Sequence, residues 1–195
     1  YNPKCHLFYA STTSLYKNIK NPSVKSKITL DQVDYFEQAK LDAENLIKSK
    51  LKNYTIYRIP LVLSDSLYET FMYHGKRNDL MDVVTKEDCA YAFVKGIKYS
   101  DELNRKTFNV AGEIPVVYGN VLDRLLEYNG LSFKYVSARL FLEKDYVSPV
   151  CSDRDELENI IHFRNDSLGQ YYKRIKQKRK NGRKINRLLA RILVK

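Results

Sequence analysis

Residues 36–60 read FEQAKLDAENLIKSKLKNYTIYRIP, and the change of period inside this stretch decides the fold. With Val33 just ahead of it, Phe36, Ala43, Leu46 and Ile47 recur at helical spacing as far as about Leu51. Tyr54 to Ile59 then reads as a buried strand, stopped by Pro60, which has no N–H for a ladder. Upstream, His6-Leu-Phe-Tyr-Ala10 is a short apolar, strand-like run that ends in Ser11-Thr12-Thr13-Ser14. Between the two runs, Thr29 with Gln32, or Asp34 with Glu37, supplies a capping pair for the helix.

The alternation continues downstream. Leu80 to Val84 is a further strand candidate, and Lys86 to Tyr99 a helix with Ala90, Ala92, Phe93 and Ile97 on one side. Thr107 to Val110 is a strand ending at Gly112. Val117 to Glu127 is a helix that stops near Asn129-Gly130, ahead of a strand over Phe133 to Val136. Strands alternating with helices over this many elements predict an α/β fold with a largely parallel sheet. Beyond Val147 the pattern fades into polar helical segments. We therefore divide the chain into 1–150, the α/β part, 151–170, a helical extension, and 171–195, a basic tail.

The chain has 195 residues, 44% of them hydrophobic and 29% charged, which describes a globular domain rather than a disordered or fibrous chain. A domain of this size buries roughly 70% of its unfolded surface, so its core needs no staple or metal. No stretch approaches the ~18 apolar residues that span a bilayer, and no charged-then-apolar leader opens the sequence. Cys5, Cys89 and Cys151 are odd in number and widely spaced, which points to reduced thiols in a cytoplasm. His6, His74 and His162 have no carboxylate or cysteine at ligand spacing, so no metal site is expected. The first residue is Tyr1 rather than Met, which suggests a fragment.

The formal net charge is +11. Eleven basic residues and no acidic one lie between Tyr171 and Lys195; without them, 23 Lys and Arg face 23 Asp and Glu. The body is electrically balanced, so arguments from basicity to nucleic acid or membrane concern the tail alone. There Ile185, Leu188, Leu189, Ile192 and Leu193 fall at i, i+3, i+4, i+7 and i+8, one apolar helical stripe flanked by Lys184, Arg187, Arg191 and Lys195. Such a helix suits an anionic membrane surface. Packing of the stripe on the protein's own body is the alternative. The neutral body carries no helix-turn-helix or RNA-binding signature, which argues against nucleic acid.

Five motifs in order carry a resemblance. They are Phe8-Tyr-Ala-Ser-Thr-Thr13, Phe36-Glu-Gln-Ala-Lys40 with Glu44, Tyr54-Thr-Ile-Tyr-Arg58-Ile-Pro60, Asp82-Val-Val-Thr-Lys-Glu-Asp88-Cys-Ala90, and Thr107-Phe-Asn-Val-Ala-Gly112. Over about residues 6–170 the chain resembles the second half of an extended or atypical short-chain dehydrogenase/reductase, the NAD(P)-dependent epimerase/dehydratase group. That family has a strand ending in Ser/Thr, a helix with YxxxK and a Glu four beyond the Lys, a strand with an Arg-x-Pro-like stretch, V-x-x-x-D-x-A and "yNvgG". The resemblance implies a partial Rossmann-like parallel sheet with flanking helices and a basic helical tail. It also implies NAD or NADP as cofactor, with Ser11, Lys40, Arg58 and Pro60 on the cofactor side and Thr12, Tyr35 and Lys40 at the chemistry. The glycines stand at 75, 96, 112, 119, 130, 169 and 182, none close enough together for a Gly-rich phosphate turn. The nucleotide-binding half is thus expected outside this sequence.

The residue types fit hydride transfer. A carbinol oxygen must gain or lose a proton as hydride moves, and a phenol does this well when a nearby ammonium lowers its pKa. The position four before Lys40 is Phe36, which has no exchangeable proton. Tyr35 lies ~100° around the helix, and only a local shift such as a π-bulge brings it to the Lys40 face. Phe36 reads as a core aromatic or a wall of the nicotinamide pocket. Lys40 on a solvated face, Thr12 as a cap and Arg58 in an ordinary ion pair are the plainer readings.

Three functions follow. The first is an NAD(P)-dependent epimerase or reductase acting on a sugar nucleotide or similar small molecule; Thr13 and Ser14, where the family's dehydratases carry an acid pair, argue against dehydration. The second is a non-catalytic NAD(P)-binding sensor or scaffold of the same fold, which Phe36 favours. The third, nucleic-acid binding through the tail, is the weakest. A homodimer, and a cytoplasmic protein peripheral on the inner face of the cell membrane, complete the expectations.

Overall fold

Parallel strands are buried on both faces, so apolar runs such as Tyr54 to Ile59 need helices above and below them. The computed structural model describes residues 5–17, 19–28, 35–64, 76–128, 130 and 148–178. Thr29, Gln32 and Asp34 of the expected capping pairs, the strand expected at 133–136, His74 and the apolar stripe beyond Arg183 lie outside the described residues.

Strand β1 (Leu7–Thr12) runs into a 3₁₀ turn, Thr13–Tyr16. Helix α1 (Tyr35–Lys50) leads to β2 (Tyr54–Ile59); Pro60 breaks the strand, and β3 (Leu61–Leu63) continues in a second ladder. The run expected over 80–84 is two strands, β4 (Leu80–Met81) and β5 (Val83–Thr85). Asp82 between them is 0% exposed; its carboxylate accepts from the Cys151 N–H and Arg154 Nε, both at 2.9 Å. There the chain changes partners. Helices α2 (Lys86–Lys98) and α3 (Ser100–Leu103) lead to β6 (Lys106–Asn109), then β7 (Val116–Val117) and α4 (Tyr118–Tyr128). Helices α5 (Glu156–Ile161) and α6 (Leu168–Lys178) close the described chain.

The described residues form a parallel sheet in the order β1-β2-β6, a parallel pair β3-β5 and an antiparallel pair β4-β7. Register places Ser11 beside Arg58 and Arg58 beside Asn109, so the three parallel strands end at one level. One core cluster packs Tyr57, Phe108 and Val110 against Ala92 of α2 and Leu157 and Ile161 of α5. Helix α1 contributes Ile47 to a second, with Tyr54 and Ile56.

The face of α2 agrees with expectation at Ala92 and Phe93, which meet the core, and differs elsewhere. Asp88, Ala92 and Gly96 are buried, whereas Ile97 is 66% exposed and Ala90 is also outside. A Cβ on Gly96 would meet the Tyr57 hydroxyl at 2.4 Å and the Phe8 ring at 2.9 Å, so the helix reaches the sheet through its smallest residue. The tail also begins differently. Helix α6 crosses residue 171, and its Tyr171 and Ile175 belong to the core with Leu122, Leu126 and Tyr128.

Candidate functional site

Glu44 sits in the middle of α1 with its side chain fully buried. Arg58 grips it with two bonds, Nε to Oε1 at 2.9 Å and Nη2 to Oε2 at 2.6 Å, and the Ser11 hydroxyl donates to Oε1 at 2.7 Å. The third arginine nitrogen donates to the Tyr16 hydroxyl at 2.8 Å, which in turn donates to Asn109 Oδ1 at 3.0 Å. Asn109 Nδ2 then donates to Asp153 at 2.7 Å, whose other oxygen accepts from the Val24 N–H at 2.8 Å. One hydrogen-bonded chain therefore crosses beneath the ends of β1, β2 and β6. Burial opposes the Glu44 charge, but the bonds and charge of Arg58, with Ser11 and Lys48, outweigh it and hold the carboxyl below its ordinary 4.5. Burial pushes the Tyr16 phenol up to about 12 despite Arg58.

This placement decides what two expected cofactor residues can do. Ser11 and Arg58 are 5% and 3% exposed, and their polar atoms are committed to Glu44 and Tyr16. Arg58 does form an ion pair, but a buried one. Pro60 is buried between β2 and β3.

Lys40, one turn before Glu44, behaves otherwise. Its ammonium donates to the Ala10 carbonyl of β1 at 2.9 Å and lies 5.2 Å from the Tyr9 ring centre and 5.8 Å from that of Phe36. The structure thus brings Lys40 to the strand that ends in Thr12, at a partly exposed position. Thr12 is half-buried; its hydroxyl accepts from the Ser14 N–H at 3.1 Å, so it caps the 3₁₀ turn. Phe36 is 53% exposed rather than a core aromatic, and Tyr35 is 94% exposed at the first position of an uninterrupted α-helix. No π-bulge redirects Tyr35 towards Lys40. The Tyr9 phenol is raised by burial and then by Glu44, so it stays protonated at neutral pH.

The segment after residue 148 is strapped to the strand ends. Ser148 Oγ bonds Thr13 Oγ1 at 2.9 Å and accepts from the Leu61 N–H at 3.3 Å. Arg154, held by Asp82, donates to the Gly112 carbonyl at 2.7 Å, and Arg164 donates to Ala111 at 2.9 Å. Thr85 caps α2 by accepting from the Asp88 N–H at 3.2 Å, and Asp88 accepts from the N–H groups of Asn165 at 2.8 Å and Asp166 at 2.9 Å. The V-x-x-x-D-x-A stretch is therefore a brace. A cleft of about 360 Å³ beside it is lined by Asp88, Glu113, Glu158, Arg164 and Asp166, and by none of the expected site residues. Sequence reasoning missed Tyr16, Asn109 and Asp153; only the asparagine's place in the yNvgG-like strand pointed to any of them.

No family model matches the chain, and no curated protein does. Solved structures do. A dTDP-glucose 4,6-dehydratase from Bacillus anthracis in complex with NAD superposes with a TM-score of 0.69 at 12% identity, over 90% of this chain and 61% of that one. A UDP-glucuronic acid 4-epimerase mutant from Bacillus cereus, in complex with a fluorinated UDP-glucuronic acid and NAD, gives 0.64 at 18% identity, over 87% and 61%. A short-chain dehydrogenase/reductase superfamily protein from Agrobacterium tumefaciens with bound NAD gives 0.65 at 11%, over 89% and 66%. The chain spans less than two thirds of the length of each. It has, in partial form, the Rossmann-like α/β fold of the epimerases and dehydratases of the short-chain dehydrogenase/reductase superfamily.

Proposed function

We propose that the chain is the substrate-side portion of an NAD(P)-dependent protein of the epimerase type, acting on a sugar nucleotide or a similar small molecule. The observation that carries this reading is Lys40, whose partly exposed ammonium rests on the Ala10 carbonyl two residues before Thr12. A ribose hydroxyl can replace that carbonyl without stranding a buried charge, so the nicotinamide end of NAD or NADP fits. Lys40 would hold the ribose, the Thr12 hydroxyl would face the reacting oxygen, and Phe36 would wall the ring. Arg58 and Ser11 are left to support the floor. The bound cofactor would supply or accept hydride. The pyrophosphate would need donors beyond these residues, because no Gly-rich turn stands among them. Thr13, bonded to Ser148, and Ser14 offer no acid for dehydration.

Phe36 also supports a second reading, a protein that binds the dinucleotide without turning it over. Either form suits a cytoplasmic homodimer, since α1 exposes Tyr35 (94%) and Leu46 (60%) on its outer side.

Saturation-transfer NMR on the chain with NAD and with UDP-glucose tests the reading. Transfer to the nicotinamide ribose protons and to the sugar nucleotide is the expected result. Transfer to neither at millimolar ligand overturns it.

A further inference from the structure

The cleft beside the brace offers negative charge and no free cation among the described residues. Its volume is about 360 Å³, within the roughly 300–1,000 Å³ range of small-molecule sites. Arg164 is its one basic lining residue, and each nitrogen of that guanidinium is engaged. Nε donates to the Ala111 carbonyl, Nη2 to the Arg154 carbonyl and Nη1 to Asp155. Both oxygens of Asp166 are held by Arg174. Asp88, Glu113 and Glu158 are left over. Glu113 is exposed and bonds through its backbone carbonyl alone, to Arg154. The Glu158 side chain uses one oxygen, Oε2, which accepts from the Arg164 N–H at 2.9 Å.

Asp88 sets this cleft apart from an ordinary acidic surface. The residue is 2% exposed, and its Oδ1 accepts both brace bonds, from the N–H groups of Asn165 and Asp166. Its Oδ2 takes no hydrogen bond from a described residue, and the cleft is the open space that Asp88 lines. Burial, and then the charges of Asp166 and Glu158, raise its pKa against those two bonds. A buried carboxylate with one oxygen lacking a donor, and two further acids nearby, gains from a cation that carries N–H groups. No group of three or more His, Cys, Asp or Glu among the described residues could hold a metal ion, so these acids do not converge on a point. Charges spaced along a flexible chain match that arrangement.

We propose that this cleft binds a linear aliphatic polyamine, with one ammonium on Asp88 Oδ2 and the rest of the molecule along Glu113 and Glu158. The site shares no residue with the cofactor reading. Its test uses neither NAD nor sugar nucleotide, so either can fail alone. The chain's net charge of +11 repels a polycation in general, so binding reports a local site.

The test is isothermal titration of the full chain with spermidine, beside magnesium and a pentalysine peptide. One spermidine per chain is expected, bound about tenfold or more tightly than magnesium because its ammonium donates to the Asp88 oxygen. Asp88→Asn keeps an oxygen for the two brace bonds but turns an amide N–H₂ towards the cleft. It should weaken spermidine by about tenfold or more, the scale of a lost charged hydrogen bond. Glu113→Gln lies outside the brace and keeps the test open if Asp88→Asn does not fold. It should weaken spermidine about threefold with the Tm unchanged. No saturable binding by the parent chain, magnesium binding as tight as spermidine, or an affinity unmoved by both variants would overturn the inference. So would tighter binding of pentalysine than of spermidine, which would assign the cleft to a peptide.

Discussion

Lys40 and Glu44 stand one turn apart on α1 and meet opposite environments. Around Glu44 the main partners are buried: Arg58 and Ser11 bond its two oxygens, Lys48 reaches one of them from the surface, and its side chain is fully buried. Around Lys40 the partners are a strand carbonyl and two aromatic rings at a partly open position. A buried pair holds elements in place because breaking it is costly, whereas a partly exposed ammonium on a carbonyl exchanges partners at little cost. One helix therefore has a closed end that fixes the strand termini and an open end whose ammonium is partly exposed.

The largest expected effect breaks the closed end. Arg58→Leu leaves the Glu44 carboxylate buried without its guanidinium, and urea unfolding should show a loss of about 3–5 kcal/mol. The double variant Glu44→Leu, Arg58→Leu should recover much of that loss, since two apolar groups need no partners. A double variant as unstable as the single would mean that packing, rather than stranded charge, sets the cost.

At the open end, Phe36→Tyr places a phenol four residues before Lys40. In a polypeptide that also supplies the nucleotide-binding half, turnover of NAD with a sugar nucleotide should rise about 10²-fold, the scale of a general acid/base contribution. An unchanged rate would favour the binding-only reading.

Acid should sharpen the contrast. The Glu44 pKa is lowered in the fold, so its contribution to stability is present above the unfolded value of about 4.5 and lost as pH falls through the lower folded value. Asp82 runs the other way: burial raises its pKa above 3.8 although the Cys151 N–H and Arg154 oppose this. Its neutralisation restores some stability on acidification from above the folded pKa down to the unfolded one. Unfolding free energies measured from pH 6 to 3 should fall less steeply at the low end for Glu44→Gln than for the parent chain. Parallel curves would remove the link between the clamp and acid sensitivity.

The smallest effect is predicted for Tyr35→Ala. The side chain is 94% exposed, so stability should change by less than about 0.5 kcal/mol and turnover not at all. Loss of turnover would return the proton transfer to Tyr35.

Legibility in the sequence followed element length and the source of burial. The runs that became β1 and β2, and the long apolar period of α1, were readable because several residues repeat one signal. The short β3, β7 and α3 fall below one clear period. Asp82 split a strand because its partners, Cys151 and Arg154, are 69 and 72 residues away. On helix α2 the expected Ala92 and Phe93 do meet the core, but Ala90 and Ile97 do not, because the helix turns Asp88 and Gly96 inward, residues that hydropathy ranks low. Lys40 and Thr12 were singled out through motif order. The Tyr16–Asn109–Asp153 part of the floor was not, since its links span 93 and 44 residues and no local spacing encodes them.

The difference between the two ends of α1 comes down to whether Lys40 meets a ligand. NAD titration followed by saturation transfer, on the parent chain and on Lys40→Met, measures this directly. The account predicts an affinity about tenfold or more weaker for Lys40→Met, the scale of a lost charged hydrogen bond, with the Tm unchanged. Equal affinity in the two proteins would contradict it.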